Sequence, residues 1–367
     1  MKRASFVALV LLVALFGCHT KNSNESAGTT ANTVVPLLSS PQFYTQLKGK
    51  VGDQPITMQL MKTAPHLLRG YYAYDSIGKP IGLWGTLDSG LVNIYEETNS
   101  DEDRLFSGYL SDDGKFKGVW HGDGTSYHYE LHTDLQHATL LKVYYAIDSV
   151  KLLPSFTKSP MGTVSNSIIW PDSSVNKEVA DFLIQQITGG KGKDPQAYLK
   201  RAIDSFMLVY RIAAKDVDTA EFKDGSSVSW NWTTDNDMKV VYNTWPLLVI
   251  EKYGYDFTGG AHGNWGAKYQ TLDLAKRKAL TPDDLFKPGY KEKLSPLLDK
   301  AFREKFHLGE EETLDQVLLV KTIPANDNLI VTGKGVCFSY TPYEIGPYAM
   351  GQITLFVPFT ELKDILK

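Results

Sequence analysis

The stretch Val240–Leu274 reads "VVYNTWPLLVIEKYGYDFTGGAHGNWGAKYQTLDL". Runs rich in β-branched and aromatic residues read as strands. They flank "YDFTGGAHGN", Tyr255–Asn264, a turn with three glycines. Gly259 and Gly260 permit positive φ and close packing, as a tight connection requires. His262 is the one titratable residue between Asp256 and Lys268. A lone histidine lacks the base, nucleophile or co-ligand that catalysis or metal binding needs. It reads as a ring hydrogen-bonded within the turn.

Working outward, "SVNKEVADFLIQQIT" carries the helical stripe Val175, Val179, Phe182, Leu183 and Ile187, with Ser173 or Ser174 as its N-cap. "PQAYLKRAIDSFMLVYRIA" repeats the pattern with Leu199, Ala202, Ile203, Phe206 and Tyr210. "SVSWNWTT" reads as a strand that places Trp230 and Trp232 on one face, by default in the core. Downstream, "LTPDDLF" looks like a helix start with Thr281 as cap and Pro282 at the first position. "YKEKLSPLLDKAFREKF" is a third amphipathic helix, with Pro296 expected in its first turn or at a kink. Two runs, "NLIVTGKGVCFSY" and "GQITLFVPF", read as closing strands before a short helix from Thr360. Helices and strands are interspersed without βαβ alternation, which argues α+β with antiparallel sheet.

Upstream the texture is different. From Phe43 to Leu131 eight short strand candidates alternate with "GDQP", "DSIGK", "DSG" and "DDGK" turns at intervals of roughly 8–12 residues. That spacing favours an all-β meander, sandwich or small barrel. Within it "LRGYY", "FSGYL" and "FKGVW" each set a glycine before an aromatic or apolar residue, a mark of bulges or close backbone approach. Before this module, "MKRASFVALVLLVALFGC" has the basic start and apolar core of a secretory signal. The apolar run is shorter than the roughly 20 residues a membrane span needs. Residues 1–17 are therefore expected to be a signal peptide and residues 18–40, rich in Ser, Thr and Asn, a tether. The expected units are a β module over 41–135 and an α+β domain whose halves span 145–258 and 259–367.

The net charge of −4 gives no electrostatic case for nucleic acid. Local chemistry is sparse. His121, His128, His132 and His137 cluster in sequence, and His128 and His132 would share a strand face, but no acid or cysteine completes a metal pattern. "EETNSDEDR", Glu96–Arg104, holds five acids yet lacks the ligand spacing of a calcium loop and reads as a solvated hairpin tip. Cys337 has no intrachain partner other than Cys18 and reads as a buried strand residue. There is no Gly-x-Ser-x-Gly elbow, His-Glu-x-x-His, P-loop or dinucleotide fingerprint. No catalytic residue, metal site or cofactor is assigned.

Two resemblances add to this reading. Leu15-Phe16-Gly17-Cys18 resembles the lipobox of bacterial lipoproteins, which implies cleavage before Cys18, lipidation of its thiol and an anchor in the bacterial cell envelope. Val240–Leu274, "ALTPDDLF" and "FSYTPYEIGPYAMGQITLFVPFTEL" together resemble a bacterial extracytoplasmic domain family of largely unknown function. That family includes the ectodomain of the lysozyme-sensing anti-sigma factor RsiV and the non-catalytic N-terminal region of the peptidoglycan deacetylase PdaC. The resemblance runs from about Ile147 to Lys367 and implies helices packed on antiparallel sheet. It implies no catalytic role, and the β module has no counterpart in either relative.

The combined expectation is a non-enzymatic lipoprotein binding a lysozyme-like protein or peptidoglycan glycan. The alternatives are a cell-wall hydrolase or deacetylase with a non-local site, and a structural lipoprotein within an assembly. The partner-facing loops are expected at Gly259–Gly266 and Thr341–Tyr348, because loops on rigid scaffolds commonly carry binding. The candidate binding residues are His262, Asn264, Trp265, Tyr343 and Glu344.

Overall fold

Eight strands close into a barrel in chain order, each antiparallel to the next and β1 closing on β8. The computed structural model describes residues 36–98, 103–217, 222 and 226–367. The expected signal peptide, Cys18 and most of the expected tether lie outside them, as does the middle of the Glu96–Arg104 loop. The barrel strands are β1 (Phe43–Val51), β2 (Gln54–Ala64), β3 (Leu67–Tyr74), β4 (Ile81–Asp88), β5 (Leu91–Glu96), β6 (Leu105–Leu110), β7 (Lys115–Gly122) and β8 (Thr125–Thr133). They coincide with the eight runs legible in the sequence. Alternation does the work: on β5, Val92 and Ile94 point inward and Leu91 and Asn93 outward. The interior is filled by Leu47, Met58, Leu60, Leu83, Phe106, Phe116, Tyr129 and Leu131.

The glycine echoes mark close approach. Gly108 and Gly118 face each other across β6 and β7. A Cβ on Gly118 would stand 2.1 Å from the Ser107 carbonyl and 2.8 Å from the Tyr129 hydroxyl. The Tyr129 ring therefore lies over the space the two glycines leave.

The second layer is a six-stranded sheet in the order β14-β13-β12-β11-β10-β9. Its strands are β9 (Leu141–Lys151), β10 (Met161–Pro171), β11 (Thr233–Thr244), β12 (Leu247–Phe257), β13 (Asn264–Asp273) and β14 (Lys278–Ala279). All pairs are antiparallel except β10 and β11, which run parallel over only four residues each, Thr163–Asn166 against Thr233–Asn236. A parallel pair needs a crossover, and α1 (Lys177–Thr188) and α2 (Pro195–Ala213) supply it. They cover one sheet face, Val179, Leu183, Ile187 and Leu199 packing on Ile168, Val240, Ile250 and Leu272. A third layer holds α3 (Pro282–Leu285), α4 (Tyr290–Phe306), the sheet β15 (Leu329–Val331), β16 (Gly335–Tyr340) and β17 (Ile353–Pro358), and α5 (Phe359–Leu362). The protein is thus α+β with an all-β N-terminal module. Val34–Lys367 form one compact unit. Among the described residues no helix is long and apolar enough to cross a membrane.

Several local expectations need correction. The N-cap of α1 is Asn176, whose side chain accepts from Glu178 and Val179 N–H; Ser174 instead donates to Asp172. On α2 the buried stripe runs through Met207, with Ala202 facing solvent. Trp230 ends a 3₁₀ turn and Trp232 precedes β11, so neither sits on a strand. Their rings stack at 6.3 Å, half-buried against Tyr210 and Leu152. Of the two placements expected for Pro296, the first turn is excluded, since it lies in the second turn of α4. "NLIVTGKGVCFSY" is two strands, β15 and β16, folded at Thr332–Lys334. Glu96 is the buried last residue of β5, its carboxylate accepting from Tyr72 (2.5 Å) and Trp120 (2.8 Å), and so is no part of a solvated tip.

Candidate functional site

The expected partner-facing loops meet. The β12–β13 hairpin closes at Asp256–Asn264, and the turn between the strands is Thr258–Gly263. Gly259 and Gly260 have φ of 101° and 94°, values that only glycine adopts without strain. The Gly263 carbonyl accepts two hydrogen bonds, from His262 Nδ1 (2.9 Å) and from the Tyr348 hydroxyl (2.8 Å). Tyr348 comes from the loop between β16 and β17, 85 residues along the chain. Its ring lies 4.4 Å from the His262 ring, and Tyr343 follows at 5.6 Å. Tyr343 is exposed and holds φ 70°. His262, Tyr348 and Tyr343 thus form a shelf of tilted rings at one end of the sheet. His262 both braces the turn and stays exposed. With Nδ1 donating to a carbonyl, Nε2 is the acceptor of the neutral ring.

Of the other predicted residues, Asn264 is exposed at the start of β13. Trp265 is half-buried, 6.1 Å from the Tyr253 ring. Glu344 is turned back into its own loop, its carboxylate taking Thr341 N–H (2.9 Å) and Asn326 Nδ2 (2.8 Å). Tyr348 escaped residue-level notice; the two tyrosines of "TPYEIGPYAM" were the available signal.

The shelf borders a polar sheet face that sequence reading did not find. Side chains alternate across a strand, so Asp235, Asp237 and Lys239 share one face of β11. Their partners on β12 are Tyr255, Tyr253 and Glu251, and beyond these on β13 stand Trp265, Ala267 and Tyr269. The barrel seals one end of this face. Glu251 Oε1 lies 3.2 Å from Lys239 Nζ, and its Oε2 accepts from the Tyr71 hydroxyl of β3. Glu97 adds a second carboxylate 3.5 Å from Lys239. Burial raises the Glu251 pKa against the pull of Lys239. Burial alone would lower that of Lys239, but the facing carboxylates of Glu251 and Glu97 outweigh it and hold the ammonium charged. Farther along, Ser167 and Ser165 donate to Asp237 (2.6 Å) and Asp235 (2.5 Å). Burial, reinforced by the Asp235 charge, raises Asp237.

The histidines of the barrel stay apart. His121 bonds Ser126, His132 bonds Glu130, and His128 is exposed on the outer wall. Among the described residues no three His, Cys, Asp or Glu side chains gather as a metal site. Cys337 is buried, and burial pushes its thiol up to about 12.

Comparison with known proteins agrees with the fold. Residues 163–265 match the family model "Deacetylase PdaC", and residues 283–360 match "Protein of unknown function (DUF3298)". These matches support a likeness between this region and a domain family of unknown function shared with PdaC. The PdaC and DUF3298 matches begin at residue 163, beyond the last barrel strand. The chain is 24% identical over 215 residues to the peptidoglycan-N-acetylmuramic acid deacetylase PdaC of Bacillus subtilis (strain 168), covering 56% of this chain and 45% of that protein. It therefore spans less than half the length of that relative. A DUF3298 family member from Bacteroides fragilis NCTC 9343 has a similar crystal structure, with a TM-score of 0.57 at 23% identity over 63% of this chain and 95% of its own. A DUF3298 protein from Pseudomonas aeruginosa PAO1 is more distant, with a TM-score of 0.45 at 18% identity over 62% of this chain and 94% of its own.

Proposed function

We propose that the protein is a lipid-anchored cell-envelope binding protein whose His262–Tyr348–Tyr343 shelf holds cell-wall glycan. The convergence of two distant loops into one ring array, exposed at His262 and Tyr343 and half-buried at Tyr348, carries this reading. Sugar rings present flat C–H faces that pack on aromatic planes, and Nε2 of His262 can accept from a hydroxyl. The shared domain supports the setting, since the matched deacetylase is named for an action on peptidoglycan. Binding rather than catalysis is favoured because His262 Nδ1 and the Tyr348 hydroxyl both donate to the Gly263 carbonyl. Neither is poised against a nucleophile or an acid.

Co-sedimentation with purified peptidoglycan sacculi tests the reading, with immobilised lysozyme as the rival bait. Retention by sacculi, lost in the His262→Ala/Tyr348→Ala double variant, is expected. Folded protein that stays in the supernatant contradicts it, and retention by lysozyme alone replaces the glycan with a protein partner. The anchor is tested separately: Cys18→Ala is expected to move the protein from the membrane to the soluble fraction.

A further inference from the structure

The barrel sits in a fork. Past Asn166 and Asn236 the parallel strands β10 and β11 no longer pair. The barrel enters there, Met61 Sδ taking the Val240 N–H at 3.3 Å and Tyr71 reaching Glu251. This seating stands one outer wall of the barrel over the polar sheet face. Arg69 projects from that wall, its Nε 4.0 Å from Asp237 Oδ2. Its cross-strand neighbour is Trp84, which is 45% exposed and stacked on Tyr95 at 4.8 Å.

Burial grades this face into a trough, covered at one end and exposed at the other. At the covered end Glu251 is 2% exposed and Lys239 6%. Asp237 comes next at 8%, then half-buried Asp235, Tyr253 and Tyr255, and finally the rim at Trp265 and His262. Its chemistry selects among ligands. An anion would meet Asp235 and Asp237; a cation would meet Arg69 and Lys239. An apolar molecule would strand their hydrogen-bonding groups without partners. The carboxylates, fixed by Ser165 and Ser167, keep lone pairs for further donors. Among the described residues Arg69 makes one hydrogen bond, to the Leu68 carbonyl at 3.4 Å, beside its 4.0 Å approach to Asp237, and so keeps donors to offer. The outer face of the barrel carries the stacked pair Trp84 and Tyr95, and the sheet face carries Tyr253 and Trp265.

We propose that this trough is an uncharged-saccharide site continuous with the shelf: Asp235 and Asp237 accept from sugar hydroxyls, Arg69 donates, and Trp84 packs on a ring face. The barrel is then half of the site. This rests on the glycan reading of the shelf and extends it to the sheet floor.

Calorimetric titration of the full chain with the tetramer of N-acetylglucosamine tests it. Asp235→Asn and Trp84→Ala are each expected to weaken binding about tenfold, the scale of one lost charged hydrogen bond or ring contact. Trp84 is exposed, so its variant reports binding even if Asp235→Asn fails to fold. Wild-type affinity in both variants, with binding still lost in His262→Ala/Tyr348→Ala, overturns the trough and leaves the shelf. Absence of wild-type binding overturns both.

Discussion

Lys305 of α4 donates to the Thr354 carbonyl at 3.2 Å, and burial, reinforced by the charge of Lys79, lowers its pKa to about 8. The unfolded chain holds that proton up to the ordinary value of 10.5, so it binds more protons than the folded state between pH 8 and 10.5. Stability should therefore rise with pH across that window. Lys305→Met should remove this rise and stabilise the protein at pH 7 by up to roughly 3 kcal/mol, as urea titrations of both forms at several pH values would show. The Lys239–Glu251 pair gives the opposite sign. Lys239→Met leaves a buried carboxylate without its cation, a loss of about 3–5 kcal/mol at neutral pH. Without Lys239 the folded Glu251 pKa sits further above 4.5, so the folded state binds the extra proton. The deficit should then shrink as pH falls toward 4; a deficit independent of pH would contradict the assignment. Lys239 and Glu251 are direct partners across the β11–β12 hairpin, but the sequence alone does not reveal that a barrel closes over them.

Elements were legible where alternation and turn chemistry act locally. All eight barrel strands follow from short strand-forming runs set between regularly spaced turns, and α3 from Thr281 as cap with Pro282 at the first position and acids after it. Reading failed where tertiary contacts decide. "SVSWNWTT" has strand composition, but its tryptophans stack in the Tyr210 cluster and hold a 3₁₀ turn. The shelf was half legible: the loops were marked by glycine, proline and aromatics, whereas the trough depends on register and on the fork between β10 and β11. The glycine ladder yields an element-scale prediction. Gly118→Ala forces a Cβ against the Ser107 carbonyl and the Tyr129 hydroxyl, and should destabilise by roughly 1–3 kcal/mol. Gly124→Ala, where a Cβ meets nothing within 4 Å, bears only the cost of its positive φ and should lose less. Thermal denaturation of the pair separates close approach from turn strain.

At the scale of the whole molecule, the barrel and the sheet share buried groups. Tyr71 of the barrel packs with Val241, Val249, Ile330 and Cys337 as well as bonding Glu251. Removing the barrel would open that seam, so barrel and sheet should unfold in one transition, with fluorescence and circular dichroism midpoints coinciding. Two separated transitions would show that the seam does not couple them. The same arrangement lets one wall of the barrel reach the sheet face that leads to the shelf. The seven tryptophans offer a direct view of this surface. Trp265 borders the shelf and Trp84 the trough, whereas Trp120 fills the barrel interior and Trp170 the helix-covered core. An amide-nitrogen NMR titration of the full chain with the N-acetylglucosamine tetramer should shift the indole signals of Trp265 and Trp84 and leave those of Trp120 and Trp170 in place. No shift at Trp265, or shifts confined to other tryptophans, would contradict glycan binding at the shelf.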